Sequence, residues 1–259
     1  MSRTRIVVVG RGRAGGSFAQ ALAAPPPILV ATITPPAVKN ATSSGVTGWE
    51  IEQVGGRGDH LAQLSSQADV VLLCVPDGAV ADVAHAIEPG TAVVAHVAGL
   101  LGLDVLAPHS RRAALHPLAS LPTAELGAQR LRGATFAVAG DPIALAIVDA
   151  LGGTAIRVDD AHRAAYHAAA CIASNHLVAL LGQVERVAAG TGAPLEAYLG
   201  LVRQSVENVA ALGPAAALTG PAARGDEATL DRHRAALDPA ELPAYEAMVE
   251  LCRRLAGTA

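Results

Sequence analysis

The first 158 residues alternate between short apolar runs and segments with helical patterning. The runs are rich in β-branched residues and lie at Arg5–Val9, Ile28–Ile33, Val70–Val75, Ala92–His96, Ala113–Leu115, Thr135–Val138 and Ala155–Val158. Continuous apolar runs of this length are typical of strands that are buried between two layers of helices. The pattern predicts an α/β fold with a doubly wound, mainly parallel sheet.

After Asp160 the patterning is helical only, with helices predicted at Ala161–Ala189, Pro194–Leu212, Glu227–Leu237 and Pro239–Leu255. Gly190 and Gly192 are typical residues at a helix C-terminus, and Pro194 suits a first helical turn. We therefore predict two domains, an α/β domain over residues 1–158 and an all-helical domain over residues 159–259.

The turn after the first strand indicates the ligand of the α/β domain. Arg5–Val9 leads into a glycine-rich turn and then a helical stretch, Ser17–Ala24. In a dinucleotide-binding Rossmann turn the first glycine permits the sharp bend, the second admits the pyrophosphate, and the third lets helix and strand pack closely. The alternative is a glycine-rich loop in another kind of α/β protein. We predict that NAD(P) contacts Gly10, Arg11, Gly12, Arg13, Ala14 and Gly15.

The end of the predicted second strand favours NADP over NAD. An acidic residue there usually holds the ribose hydroxyls of NAD, and its charge would repel the 2′-phosphate of NADP. The sequence has Thr34 after Ile33 and no acid nearby. Thr34, with Arg13 or Lys39, is therefore a candidate phosphate contact, although Thr34 also suits a simple turn cap. NAD stays open as the alternative cofactor.

Composition excludes several other classes of function. The net charge of −4 argues against nucleic acid or an acidic membrane surface as a partner. The three cysteines have no C-x-x-C spacing, so neither a disulfide framework nor a metal site is predicted. The apolar stretch from Ala164 to Leu181 carries two histidines, a serine and an asparagine, which suits a helix of a soluble protein better than a membrane span. We expect a cytoplasmic protein.

Several strand ends carry candidate chemistry. Ligands of open α/β sheets bind outside the carboxyl ends of the strands. Val75 ends the third predicted strand and is followed by Pro76 and Asp77. His96 ends the fourth predicted strand, and His116 directly follows the fifth. We predict that the first four line the cofactor cleft and that His116 is catalytic, the alternative for each histidine being a structural role.

Six ordered motifs resemble those of Rossmann-like proteins with a C-terminal domain of unknown function 2520. They are Val75-Pro76-Asp77, His96-x-x-Gly99, His116-Pro117-Leu118, Tyr166-His167-Ala168-Ala169, Ala173-Ser174-Asn175 and Thr219-Gly220-Pro221-x-x-Arg224-Gly225-Asp226. The resemblance implies an NADP-type fold and a helical domain that forms a homodimer. The family is similar in architecture to ketopantoate reductase, pyrroline-carboxylate reductase, coenzyme F420-dependent NADP oxidoreductases and β-hydroxyacid dehydrogenases.

The chain departs from these relatives at the catalytic lysine. β-Hydroxyacid dehydrogenases place a lysine four residues before an asparagine, and the corresponding spacing here is Cys171 to Asn175. A neutral thiol carries no positive charge with which to stabilise an alkoxide. Lys39 is the only lysine of the chain, so another group must supply the proton.

The long predicted helix offers substitutes for that lysine. His167, Cys171 and Ser174 are spaced by four and three residues, which places them along one stripe with Asn175 at its edge. We predict catalytic roles for His167, Ser174 and Asn175, and a substrate contact for Tyr166, which is also an alternative proton donor. A packing role for His167 stays open.

These features predict an NADP(H)-dependent oxidoreductase that reduces a small carbonyl or imine compound, with a 2-oxo acid such as ketopantoate favoured. The substrate is expected to be anionic, and Arg224 is a candidate anchor for it or for a cofactor phosphate. The alternative is that Arg224 forms an ion pair with Asp226 or between helices. The alternative function is a non-catalytic dinucleotide-binding sensor or scaffold, which would agree with the absent lysine.

Overall fold

The computed structural model describes residues 4–23, 49–56 and 61–257. Seven strands form one sheet in the order β2-β1-β3-β4-β5-β6-β7. They are β1 (Thr4–Val9), β2 (Trp49–Val54), β3 (Val70–Leu73), β4 (Val93–His96), β5 (Arg112–Pro117), β6 (Thr135–Gly140) and β7 (Thr154–Arg157). All neighbouring strands are parallel except β5 and β6, which run antiparallel. The predicted α/β fold with a mainly parallel sheet is confirmed.

Helices cover both faces of this sheet because successive strand residues point to opposite sides. Ile6 and Val8 of β1 join the cluster that contains Phe18 of helix α1 (Arg13–Ala23). Val7 and Val9 join the cluster that contains Val83 of helix α3 (Val80–His85). Among the described residues, three further α-helices connect the strands from β2 to β7, namely α2 (Leu64–Gln67), α4 (Ala124–Leu131) and α5 (Ile143–Ala150). β1 and β3 are therefore apolar on both faces, as predicted.

The strand Trp49–Val54, which pairs with β1, was not predicted from the sequence. The predicted strand Ile28–Ile33 lies outside the described residues, as do Thr34 and Lys39. The strand that pairs with β1 is β2, whose sequence Trp-Glu-Ile-Glu-Gln-Val alternates between apolar and polar residues. Among the residues that the structure describes, β2 is the outermost strand on its side of the sheet and is only partly buried. It therefore lacks the continuous apolar run that identified the other strands.

The chain divides into two compact units, of which the first ends at Cys171 and the second begins at Ile172. The predicted boundary after Val158 is 13 residues earlier than this division. The difference arises because helix α6 (Arg163–Cys171) contacts residues at the carboxyl edge of the sheet, as described below. Residues of α6 therefore group with the sheet although their patterning is helical.

The second unit consists of helices, in agreement with the predicted all-helical region. A π-helical segment (Ile172–His176) is followed by α7 (Leu177–Ala188), α8 (Leu195–Leu212), α9 (Pro214–Ala217), α10 (Pro221–Arg224), α11 (Glu227–Ala236) and α12 (Leu242–Ala256). Ala222, Leu230 and Val249 form its small buried cluster. Asp226 caps α11 by accepting a hydrogen bond from the backbone N–H of Thr229, at 3.1 Å.

One helical run is long enough to cross a membrane. Residues Asp160–Ala188 span 29 residues and meet the length and hydropathy requirements, with no membrane present in the structure. A single such helix is weak evidence, because helices of soluble proteins pass the same test.

Candidate active site

The glycine-rich turn has the geometry that a dinucleotide requires. Gly10 has a φ of 124°, and a Cβ at this position would overlap the carbonyl oxygen of Cys74. A Cβ at Gly15 would overlap the carbonyl oxygen of Gly10, so α1 and β1 approach closely at that point. At Gly12, in contrast, no atom of the described chain lies within 4 Å of a Cβ position. The turn therefore has no space for a side chain at its first and third glycines. It has space at its second glycine, the position predicted to face the pyrophosphate.

Gln53 of β2, which was not identified from the sequence, stabilises this turn by a hydrogen bond. Gln53 donates a hydrogen bond from Nε2 to the carbonyl oxygen of Gly10, at 2.8 Å. Gly10 donates its own N–H to the carbonyl oxygen of Val54, at 2.9 Å. Gln53 carried no recognisable signal, because its role depends on the pairing of β2 with β1. Arg11 and Arg13 are exposed beside the turn, and Ala14 is half-buried.

The end of β3 lies at the same edge of the sheet. Val75 is half-buried, and its Cγ1 lies 3.0 Å from a Cβ position at Gly56, which follows β2. Pro76 and Asp77 are exposed, and Asp77 begins a short 3-10 helix, Asp77–Ala79. The predicted cleft residues of this strand are thus brought beside the end of β2.

The side chain of His96 is buried in the interior of the first unit. Its Nδ1 accepts a hydrogen bond from the Ala98 N–H at 3.2 Å, and its Nε2 lies 3.1 Å from the carbonyl oxygen of Gly102. Burial is the main cause that lowers the pKa of His96, which keeps the ring neutral. With both ring nitrogens used, His96 shapes the loop after β4. This geometry favours a positioning role over direct contact with a cofactor.

The centre of the site is a group of three side chains from β5 and α6. The Nδ1 atom of His116 lies 2.7 Å from the Tyr166 hydroxyl oxygen. The ring centroids of His116 and His167 are 6.0 Å apart. Tyr166 and His167 are adjacent on α6, and both rings stand nearly perpendicular to the His116 ring, at 88° and 75°. The structure therefore brings together three residues that the sequence singled out separately.

Gly99 makes room for the two imidazoles. A Cβ at Gly99 would lie 2.6 Å from Cδ2 of His167 and 2.9 Å from Nε2 of His116. The loop after β4 therefore passes directly over the histidine pair. Any side chain at this position would force the rings apart.

The electrostatics of this group differ from the sequence expectation. Burial, followed by the charges of His167, Arg163 and His96, lowers the pKa of His116 to about 4. Burial raises the pKa of Tyr166 to about 12, and the charge of Arg163 opposes that rise. His116 is consequently neutral at pH 7 and has no imidazolium proton to donate. The Tyr166 hydroxyl remains protonated and is the better placed donor.

Arg163 is a site residue that the sequence reasoning missed. It is one turn of α6 before Tyr166 and His167, and its side chain is only 1% exposed. Its Nε donates a hydrogen bond to Oδ1 of Asp160, at 2.8 Å. The spacing Arg163-x-x-Tyr166-His167 is a signal that all three residues share a face, but an arginine reads first as a surface residue.

The other predicted site residues belong to the second unit. Ser174 is half-buried and Asn175 is exposed, both in the π-helical segment. The predicted single stripe continues only as far as Cys171, whose Sγ lies 3.9 Å from Nε2 of His167. Beyond it, π-helical hydrogen bonding changes the spacing, so Ser174 leaves the α-helical register. Arg224 is exposed at the end of α10. Hydrogen bonds from Thr229 are the main cause that lowers the pKa of Asp226, and the charge of Arg224 contributes less.

Comparison with known proteins supports the resemblance seen in the motifs. The model for the domain of unknown function 2520 matches residues 135–251. Residues 135–251 are therefore similar to this domain. No curated protein sequence matches the chain.

Solved structures share the fold of this chain over nearly their whole length. Protein TM1727 from Thermotoga maritima is 24% identical, with 98% of each chain covered and a TM-score of 0.69. BF3122 from Bacteroides fragilis, a proposed NADP oxidoreductase, is 22% identical, with 98% of each chain covered and a TM-score of 0.70. A reductive aminase from Aspergillus terreus, in complex with NADPH and ethyl-5-oxohexanoate, is 14% identical, with 99% and 98% covered and a TM-score of 0.64. The TM-scores and coverage establish the fold, and at identities below 25% they establish nothing beyond it.

Proposed function

We propose that this protein is an NADP(H)-dependent oxidoreductase that reduces a small carbonyl or imine compound. The observation that carries the proposal is the hydrogen bond between Tyr166 and His116 at the carboxyl edge of a sheet that also bears an open glycine turn. The reductive aminase with NADPH and the proposed NADP oxidoreductase BF3122 support it by sharing the fold.

The glycine turn fits a dinucleotide. The pyrophosphate would lie at Gly12, where the chain leaves space, and against the N-terminus of α1 with its free N–H groups. The exposed Arg11 and Arg13 are near enough in sequence to serve phosphate groups. When bound, the dinucleotide supplies the hydride.

Tyr166 is the proton donor in this proposal. Its hydroxyl gives a proton to the substrate oxygen or nitrogen, and the remaining phenolate accepts a hydrogen bond from His116 in the tautomer with hydrogen on Nδ1. The charge of Arg163 also favours the phenolate. These two groups replace the stabilisation that a catalytic lysine gives in β-hydroxyacid dehydrogenases. His167 borders the donor pair, while substrate contacts by Ser174 and Asn175 remain predictions.

A substrate screen that follows NADPH absorbance tests the activity, with 2-oxo acids, simple ketones and cyclic imines as probes. Tyr166→Phe should lower kcat by about 10²-fold or more, because the variant keeps the ring and loses the hydroxyl group that donates the proton. Its NADPH affinity should equal that of the parent. Tyr198→Phe, in α8, is the matched control and should keep full activity.

Two results would contradict the proposal. NADPH binding with no oxidation of NADPH across the screen would favour the sensor or scaffold function instead. Full turnover by Tyr166→Phe would remove the tyrosine from the mechanism and leave bound water as the proton source.

A further inference from the structure

Arg163 carries two nitrogens whose hydrogen bonds are not accounted for. Nη1 and Nη2 are buried and have no hydrogen-bond partner among the residues that the structure describes. The one ion pair of this side chain is with Asp160, which is itself 56% exposed. Buried polar groups are nearly always satisfied, and a buried charge with unfilled donors is costly. Such a group indicates that a partner outside the chain completes it.

The free edge of the guanidinium suits one kind of partner. Asp160 occupies the Nε position, which leaves Nη1 and Nη2 side by side. Two adjacent N–H donors match the two oxygens of a carboxylate in a bidentate pair. A neutral carbonyl or amide would fill one of these donors and leave the charge uncompensated.

Arg163 also lies beside the proposed chemistry. It shares a face of α6 with Tyr166 and His167, at spacings of three and four residues. Its charge acts on His96 at the end of β4, on His116 at the end of β5, and on Tyr166. A carboxylate held by Arg163 would therefore lie next to the proton donor.

We infer that Arg163 binds the carboxylate of the substrate and places the carbonyl or imine carbon next to it beside Tyr166. This inference rests on the proposed function and narrows its substrate to 2-oxo acids or the corresponding 2-imino acids. It assigns the anchoring role to Arg163, not to Arg224, which is exposed at the end of α10.

Binding of a carboxylate has a readout that does not depend on turnover. The charged and titratable groups near His116 are Tyr166, which contacts its Nδ1, together with His96, His167 and Arg163, with Asp160 paired to Arg163. A bound carboxylate offsets the positive charge of Arg163, so the pKa of His116 should rise. NMR of the labelled histidine side chains measures this change in the parent protein.

The experiment uses the full-length protein with and without NADPH. Pyruvate and acetate are the carboxylate probes, acetone and acetamide are their uncharged counterparts, and inorganic phosphate tests for a general anion site. Calorimetry should detect pyruvate, and Arg163→Gln should weaken its binding at least about tenfold, since two charge-assisted hydrogen bonds are lost. Arg130→Gln, on the exposed side of α4, is the control and should bind pyruvate like the parent.

If Arg163→Gln does not fold, the variant Arg163→Lys and the NMR titration of the parent protein test whether Arg163 binds the carboxylate. The lysine variant keeps the charge but not the paired donors, so it should bind pyruvate more weakly than the parent does. In the parent, pyruvate and acetate should raise the pKa of His116, and acetone and acetamide should leave it unchanged.

Several outcomes would overturn the inference. The first is that the pKa of His116 does not change at saturating pyruvate. The second is that Arg224→Gln loses pyruvate binding while Arg163→Gln keeps it. The third is that phosphate binds more tightly than pyruvate does. NADPH oxidation with uncharged ketones but no carboxylate binding would refute this inference and leave the proposed function standing. Carboxylate binding at Arg163 without NADPH oxidation would refute the proposed function and leave Arg163 as a carboxylate-binding residue of a protein that is not a reductase.

Discussion

At the scale of single residues, burial determines which groups carry protons. His116, His96 and Tyr166 are all shifted toward their neutral forms, and burial is the first cause in each case. The site therefore gathers three neutral groups around one permanent cation, Arg163. Such an arrangement disfavours protonation of the histidines and favours binding of an anion.

The neutral histidines predict a loss of stability in mild acid. His116 has a pKa of about 4 in the folded state and an ordinary value of 6.5, so the unfolded state binds more protons between these values. The stabilising contribution is complete above about pH 6.5 and falls as the pH is lowered toward 4, by at most about 1.4 kcal/mol per pH unit for this histidine. His96 acts in the same direction.

Urea unfolding at pH 5 and pH 7 measures this effect in a range above the titration of the carboxylates. His116→Gln should flatten the decline between the two pH values, whereas His85→Gln, on the exposed side of α3, should not. Equal slopes for the parent and His116→Gln would show that His116 is not held neutral by the fold.

At the scale of elements, the glycine turn between β1 and α1 predicts that substitutions at its glycines affect NADPH binding and stability separately. Gly12→Val should abolish NADPH binding while the free energy of unfolding stays near that of the parent, because the chain leaves open space at Gly12 and the added side chain fills it. Calorimetry and urea unfolding measure the two quantities. Gly10→Val is the contrasting variant and should unfold, since its Cβ would overlap the carbonyl oxygen of Cys74. Undiminished NADPH affinity in Gly12→Val would remove this turn from the proposed cofactor site.

The edge strand β2 bears on the choice of cofactor. The described residues at its carboxyl end, Val54, Gly55 and Gly56, include no carboxylate that would hold the ribose hydroxyls of NAD. We therefore expect NADPH to bind more tightly than NADH. Calorimetric titration of both checks this, and equal or reversed affinities would contradict it.

At the scale of the whole molecule, exposed apolar side chains of the second unit predict a homodimer. Val178 of α7 is 67% exposed, and Leu201, Val206, Val209 and Leu212 of α8 are also exposed. Apolar surface of this extent marks interfaces more often than free surface. We expect light scattering at micromolar concentration to show a dimer, and the double variant Leu201→Glu, Leu212→Glu to be monomeric. Leu118→Glu, an exposed position of the first unit, should remain dimeric. A monomeric parent protein would contradict this prediction.

Much of this protein is determined locally, so its sequence predicts it. The buried runs of β1, β3, β4 and β5 are apolar on both faces whatever their neighbours are, and their pattern identifies a doubly wound sheet. The glycine turn follows from the steric needs of three positions. The carboxyl ends of parallel strands lie at one edge, which is why His96 and His116 were recognised as site candidates without any coordinates.

Tertiary structure decided the properties that depend on residues distant in sequence. The place of β2 follows from its pairing with β1, because an alternating edge strand has no strong pattern of its own. The inward turn of His96 depends on the loop that ends at Gly102, and the neutrality of His116 depends on burial against α6. Above all, the burial of Arg163 is set by the packing of α6 on the carboxyl edge of the sheet. The free energy of a charge depends on the dielectric and the partners around it, and these are properties of the folded chain that residue type does not encode.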